Sequence, residues 1–452
     1  MNILFYSTSS NYYEAQNAVT HEFPSCAAGF ELLAEKYPEH SFILATQFPG
    51  MFLVDLNEDR ISPRAENVRY EIINYDDEKQ IADFLASLKP DLAVASTFYV
   101  TPFDWLTAKD ALVAKFLRQN GIKTLCHSVN TALTCFDKWH THQALKELKI
   151  NVPEAVYINH ALFINAGNRK TIKSNVYRTA LLEQIKELNF PVIIKDTTGL
   201  SSYGMDVLED FSKVHDWLNS KKFTSDRIIE EFIQGTQFGV EIESSFDAKS
   251  SSVRHKILPP VIFSVNKYGI TSPKQSVKAG PVILEEYKLE ELNSMLLKIA
   301  QTFNFEGITQ LDLVFDGKKW FVIEINPRLS GMTNTYSAMQ GTTTAQRLFN
   351  LTGLDSENKG HIEKNDFVLN IKTELLTQKE FQKLASMDFV KHVYQIENKN
   401  ARQIRERGYC EVIFTAETKE KLEENLNALY REFPQKTEEA FYKTATELIK
   451  KL

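Results

Sequence analysis

The chain runs in two apolar rhythms. Over residues 1 to about 125, the short apolar runs NILFYST, SFILATQ, DLAVAST and IKTLCHS are spaced by stretches near 27–37, 78–88 and 105–119 with helical periodicity. Such alternation predicts a parallel, Rossmann-like sheet. No G-x-G-x-x-G follows the first strand, so a dinucleotide site is not expected there. Residues 126–190 are more helical, and CFDKWHTHQALKELKINVPE reads as a helix with a proline-bounded exit. Residues 191–245 carry the strand PVIIKDTT, a Gly/Ser loop, a helix near 211–221, and RIIEEFIQGTQFGVEI, which reads as two strands around a tight turn. Residues 246–352 hold further strands, a helix near 285–302 and a hairpin. A polar passage near 353–366 marks a boundary before a tail, 353–452, with strands around 367–374 and 409–415 and helices around 376–386 and 417–432. The predicted fold class is α/β with an α+β core.

The hairpin is the most informative pattern. In ITQLDLVFDGKKW, Leu311, Leu313 and Phe315 alternate with Gln310, Asp312 and Val314; in FVIEINPRLSG, Phe321, Ile323 and Ile325 alternate with Val322, Glu324 and Asn326. A three-residue loop of Gly317, Lys318 and Lys319 would set Asp316 opposite Trp320, Asp312 opposite Glu324 and Gln310 opposite Asn326. Facing carboxylates with Cβ atoms roughly 5 Å apart repel one another. Either the ribbon's polar side meets water, or one acid stays protonated, or a cation sits between them. A hard divalent ion fits Asp, Glu and Asn oxygens.

The chain's 452 residues suffice for several structural units, and its net charge of -7 with interspersed signs gives no footprint for nucleic acid. Cys26, Cys126, Cys135 and Cys410 show no zinc or disulfide spacing. No apolar run approaches about 18 residues and no signal-like start is present, so a cytoplasmic protein without membrane contact is expected.

In PVIIKDTTGLSSYGM, a strand delivers Lys195 into a loop containing Gly199, Ser201, Ser202 and Gly204. Glycines and serines expose backbone N–H groups that can wrap phosphate oxygens, and the lysine adds positive charge. Met205 and Asp206 stand where a Walker loop needs Lys and Ser/Thr, so this is no P-loop. The apolar strand edges of RIIEEFIQG could hold an adenine. The order of the pieces says more than any one of them: a lysine at a helix start in CFDKWH, a strand-lysine-glycine loop, EEFI-x-G, then Asp312 and E-I-N-P-R-L-S-G.

That order resembles the ATP-grasp superfamily over roughly residues 1 to 340, and most resembles the carboxylate–amine ligases, including D-alanine–D-alanine ligase, L-amino acid ligases and the biotin carboxylase branch. The resemblance implies an N-terminal Rossmann-like domain (1–125), a central helical part (126–190), a lid (191–245), a catalytic subdomain (246–352) and a small C-terminal α/β subdomain (353–452). It implies that Lys138 and Lys195 contact ATP phosphates and that Ser201, Ser202 and Gly204 lie in the lid. Glu230 would reach the adenine amino group, the Glu231 carbonyl and Ile233 N–H would form the adenine hinge, and Gln237 would meet the ribose where the family often has Glu. Asp312, Glu324 and Asn326 would hold two Mg²⁺ ions (or Mn²⁺), and Arg328 the carboxylate or acyl-phosphate. Gln310 stands where D-alanine–D-alanine ligases carry arginine, which argues against that subgroup. Lys267 and Lys274, or Arg402 and Arg405 of the tail, are further candidates for phosphate or substrate, whereas His140, His142 and His255 read as structural or exposed.

The implied activity is ATP-dependent ligation of a small-molecule carboxylate, an amino acid or small peptide, to an amine through an acyl-phosphate, with release of ADP and phosphate. The sequence leaves the oligomeric state open; cytosolic enzymes of this size often self-associate, and a homodimer is one such assembly. The rival readings are a carboxylate–thiol ligase, a grasp-type kinase and a nucleotide-binding module without ligase activity.

Overall fold

Five parallel strands open the chain, in the order Val68–Ile73, Ser41–Gln47, Asn2–Ser7, Leu92–Ala95, Lys123–Leu125. Helix Cys26–Lys36 covers one face through Phe30 and Leu33. Helices Glu78–Ser87 and Leu106–Gln119 cover the other through Ile81, Leu85, Val113 and Leu117. Burial on both faces explains why Ile3, Leu4, Phe5 and Tyr6 form an unbroken apolar run. The computed structural model describes residues 1–8, 19–47, 65–97, 106–165, 174–198, 205–246, 252–265, 276–355, 365–397 and 408–452. The architecture is mixed α/β, with one parallel and two largely antiparallel sheets.

The second sheet has four strands, ordered Ala155–Ile158, Arg227–Glu231, Val192–Asp196, Asp206–Leu208, packed on helices Val176–Lys186 and Phe211–Leu218. The third runs Trp320–Asn326, Gly307–Phe315, Thr236–Phe246, Val261–Phe263, Lys278–Gly280, Phe367–Thr373, Gly408–Ala416, Val390–Glu397, Val19–Phe23, with Val253–Ile257 paired to Thr236–Phe246. The ladders show how the strands around the 232–235 turn are shared between the two sheets. Arg227–Glu231 and Thr236–Phe246 are not partners but belong to different sheets, so the segment between them is a crossing rather than a hairpin turn. Ala155–Ile158 joins the four-stranded sheet, and Thr236–Phe246 lies in the ten-stranded one. At the crossing, a Cβ on Gly235 would lie 2.3 Å from the Phe315 carbonyl oxygen, so only glycine lets the backbones pass.

The 307–315/320–326 ribbon reaches the expected pairing by another route. The loop has four residues, Asp316–Lys319, closed by the Lys318 and Lys319 N–H groups donating to Asp316 Oδ1 at 2.8 and 2.7 Å. Trp320 therefore faces Phe315, not Asp316. Further along the ladder the register shifts between Asp312 and Leu313, and the bulge at Ile323 restores Asp312 opposite Glu324 and Gln310 opposite Asn326. Because of that bulge Val322 shares a face with Ile325: the Leu311, Leu313, Phe315, Trp320, Val322 and Ile325 side chains pack in one core with helix Leu289–Thr302. Gln310, Asp312, Glu324 and Asn326 take the opposite face.

That opposite face is also occupied by Glu241 and Glu243, whose strand pairs with Gly307–Phe315. Glu241 is fully buried and Arg347, on helix Thr344–Asn350, is 2% exposed. Arg347 Nη2 donates to Glu241 Oε2 at 2.7 Å, Nε to Glu243 Oε1 at 2.8 Å and Nη1 to the Thr333 carbonyl at 2.9 Å. Thr333 Oγ1 completes the knot by donating to Glu241 Oε1 at 2.7 Å and accepting from the Ser330 N–H at 3.0 Å. The turn 330–333 that follows Arg328 is thus wrapped around a buried carboxylate. Removing the cation would strand two acids in the interior, so Arg347→Met is expected to cost about 3–5 kcal/mol in a urea unfolding curve.

Candidate functional site

The site begins with helix starts and strand ends. Asp137 caps helix Lys138–Glu147 by accepting the His140 N–H at 2.9 Å, which fixes Lys138 in the first turn. The Lys138 N–H donates to the Thr197 carbonyl at 2.7 Å, two residues beyond Lys195, so helix and strand end are tied together. From there Lys138 Nζ reaches Glu324 Oε1 at 3.0 Å. Lys195, 4% exposed, places Nζ 2.5 Å from Oε1 of Glu230, 5% exposed. Glu230, expected beside an adenine, thus already holds a lysine.

On the ribbon, Arg328 Nη2 donates to Asn326 Oδ1 at 2.8 Å, Asn326 Nδ2 to Gln310 Oε1 at 3.0 Å, and Gln310 Nε2 to Asp312 Oδ1 at 2.8 Å. Asp312 and Glu324 face each other across the ladder. Burial and the Glu324 charge push the Asp312 carboxyl up to about 6, against the Gln310 hydrogen bond, Arg328 and Lys278. Burial pushes Glu324 the same way, but Lys138, with Lys195 and Arg328, outweighs it and holds that carboxyl below its ordinary range. The repulsion anticipated from the sequence is therefore present and falls on Asp312.

The crossing supplies a different feature. Glu231 N–H donates to the Glu154 carbonyl at 2.9 Å and Phe232 N–H to the Pro191 carbonyl at 3.0 Å. Among the described residues, the Glu231 carbonyl and the Ile233 N–H have no backbone partner. An acceptor and a donor two residues apart can take the amino and ring-nitrogen edge of a purine. Gln237 lies on the polar face opposite Val314, two rows from Asp312.

The described structure thus gathers Lys138, Lys195, Glu230, Asp312, Glu324, Asn326 and Arg328, with Glu231, Ile233 and Gln237 on the adjoining strand edges. Ser201, Ser202, Gly204, Lys267, Lys274, Arg402 and Arg405 lie outside the described residues. One cation was missed: Lys278 Nζ donates to the Gly331 carbonyl at 3.0 Å, in the turn after Arg328, and its charge acts on Asp312. Its signal was the alternation in SVKAG, a short strand without a turn motif. Gly239, opposite Asp312, was also unread: a Cβ there would meet the Phe263 ring at 2.5 Å. His142 Nε2 lies 2.7 Å from the Pro153 carbonyl, and His255 Nδ1 2.9 Å from Ser244 Oγ.

Among the described residues no three His, Cys, Asp or Glu side chains gather as a metal cluster. Two carboxylates and an amide suit instead a hard cation that completes its shell with phosphate oxygens. Asp312 engages Gln310 through Oδ1 and Glu324 engages Lys138 through Oε1, so each acid keeps a second oxygen for an ion. The residues fit magnesium carried on a nucleotide. No described helix is long and apolar enough to cross a membrane.

Residues 135–332 match a family model described as an ATP-grasp domain. A D-alanine--D-alanine ligase from Buchnera aphidicola subsp. Schizaphis graminum is 26% identical over 233 residues, 50% of this chain and 69% of that protein. An L-amino acid ligase from Bacillus licheniformis superposes with a TM-score of 0.62 at 14% identity, over 96% of this chain and 97% of that one. N5-carboxyaminoimidazole ribonucleotide synthetase from Thermus thermophilus superposes with a TM-score of 0.61 at 13% identity, over 95% and 98%. At such identities the superpositions establish the fold.

The raised Asp312 carboxyl sets a metal-free stability signature. A folded-state value of about 6 against an ordinary 3.8 means that its contribution is fully present below about pH 4 and lost as pH rises through 6. Asp312→Asn, which keeps the acceptor for Gln310, is expected to stabilise the metal-free protein at pH 7 by on the order of 2 kcal/mol. The gain should shrink to nothing by about pH 4 in thermal melts with EDTA.

Proposed function

We propose, from the match of residues 135–332 to a family model described as an ATP-grasp domain, that this chain is an ATP-dependent carboxylate–amine ligase. The observation that carries the reading is the facing pair Asp312 and Glu324, ringed by Lys138, Lys195, Lys278 and Arg328. Half-buried acids beside several cations form a place where a polyanion and its metal can be neutralised together. They lack any arrangement suited to a protein nucleophile.

Asp312, Glu324 and Asn326 would hold two Mg²⁺ ions, which would neutralise the triphosphate and draw charge from its γ-phosphoryl oxygens. The chain's own residues bind and align. Lys138 and Lys195 meet phosphate oxygens, and Glu230 steadies the Lys195 ammonium. The Glu231 carbonyl and Ile233 N–H take the adenine edge, and Gln237 the ribose. Arg328 pairs with the acid substrate, since a guanidinium matches carboxylate or acyl-phosphate through two hydrogen bonds. A carboxylate oxygen then forms a bond to the γ-phosphorus as the β–γ bridge breaks and ADP leaves. The amine forms the C–N bond next, inorganic phosphate departs with the C–O electrons, and the ammonium proton passes to solvent or phosphate. Alignment and charge neutralisation supply the catalysis.

The names of the relatives, D-alanine--D-alanine ligase and L-amino acid ligase, favour amino acids or small peptides as the substrates. A screen of ADP release over amino acids and dipeptides, with mass spectrometry of products, should reveal a new amide and one ADP per product. A thioester, or a stable phosphorylated acid without an amide, would refute the ligase reading. Glu324→Ala and Lys195→Ala should each abolish ATP turnover, by about a thousandfold or more, in proteins that still melt cooperatively.

A further inference from the structure

Asn326 presents a problem that a carboxylate does not. Its oxygen can ligate a hard cation and its nitrogen cannot, yet the two ends of the amide are alike in shape. Something must decide which end faces the metal. Gln310 is 5% exposed and stands directly opposite Asn326 in the ladder, two residues before Asp312 on the same strand face. Its amide donates to one neighbour while accepting from another: Nε2 to Asp312 Oδ1 at 2.8 Å, and Oε1 from Asn326 Nδ2 at 3.0 Å. Asp312 Oδ1 accepts from the Gln310 amide nitrogen, and this contact fixes which way the Gln310 amide faces. Gln310 then shows only its oxygen to Asn326, which must answer with its nitrogen. Asn326 Oδ1 is left on the far side, where Arg328 Nη2 meets it at 2.8 Å.

We infer that Gln310 is a positioning residue that orients the metal-ligand oxygen of Asn326 through this one-way chain of hydrogen bonds. The inference rests on the metal reading of Asp312, Glu324 and Asn326. With a side chain at 310 that neither donates nor accepts, Asn326 would keep only the Arg328 donor on Oδ1 to direct it, and its NH₂ could turn toward the cation. Outer partners of metal ligands are typically worth about 10–100-fold in metal affinity.

The test uses the full chain with Mn²⁺ and ADP as probes, read by calorimetry. Gln310→Met keeps the volume of the side chain and removes its hydrogen bonds. It should weaken Mn²⁺ binding in the presence of ADP by about tenfold or more, while ADP binding in EDTA stays within about twofold. Gln310→Leu should give the same pattern. The decisive comparison is the same pair of measurements in an Asn326→Asp background. A carboxylate offers oxygen whichever way it turns, so there the penalty of Q310M should fall to within about twofold. An equal penalty in both backgrounds, or no penalty with Asn326 present, would overturn the orienting role. Loss of metal-free ADP binding in both position-310 variants would overturn it too, since the residue would then be holding the fold. Should wild type bind no Mn²⁺ with ADP, this inference and the metal reading fall together. Wild-type binding that vanishes in Glu324→Ala but is untouched in Q310M would sink the inference alone.

Discussion

Two carboxylates held face to face across a β-ribbon govern how the surrounding residues are arranged. Asp312 and Glu324 cannot both be comfortable ions in a buried ladder, and the protein divides the burden unequally. Lys138 lies against Glu324 and keeps it charged. Asp312 has an amide for its direct partner, with Arg328 and Lys278 acting only through their charge, and its carboxyl rises to about 6. The imbalance has a use. A site already neutralised by fixed cations would have little affinity for a metal, whereas one acid left poorly compensated keeps a demand for positive charge.

Much of this was legible because it depends on period and order. Alternation along 307–315 and 320–326 put Asp, Glu, Gln and Asn on one face, and the ladder agrees at Asp312/Glu324 and Gln310/Asn326. The route was not legible. A four-residue loop and a bulge at Ile323 offset one another, so a pairing inferred from a three-residue loop comes out right at the site and wrong at Trp320. Bulges carry no composition signal here. The crossing at Gly235 was opaque for a similar reason, because a tight turn between two strands looks the same whether they pair or part. Helices Thr333–Met339 and Thr344–Asn350 follow the turn after Arg328, and strand Val19–Phe23 adds to an edge made by Val390–Glu397 from the other end of the chain. Non-local pairing leaves no local mark.

The residues that steady the site were the hardest to read. Glu241, Arg347 and Thr333 look like ordinary polar positions, and only burial reveals that an ion pair holds the turn 330–333. A buried ion pair is weak evidence for stability, since its desolvation can offset its attraction. Geometry gives it another use: a guanidinium with three directed contacts fixes the turn between Arg328 and helix Thr333–Met339 more narrowly than apolar packing could.

The open backbone groups of Glu231 and Ile233 and the acid pair lie on either side of a crossing between sheets, which the chain makes at one glycine. The Glu231 carbonyl and Ile233 N–H belong to the end of the four-stranded sheet, while Asp312 and Glu324 belong to the ten-stranded one. A nucleotide that used both would have to span the crossing, and Lys138 spans it already, with its backbone on Thr197 and its side chain on Glu324. Binding at one end would therefore fix the distance to the other. In that arrangement metal and nucleotide are held by a shared geometry, and neither end has to bind tightly alone: two carboxylates and an amide are too few ligands for magnesium, and one carbonyl with one N–H too few for adenine.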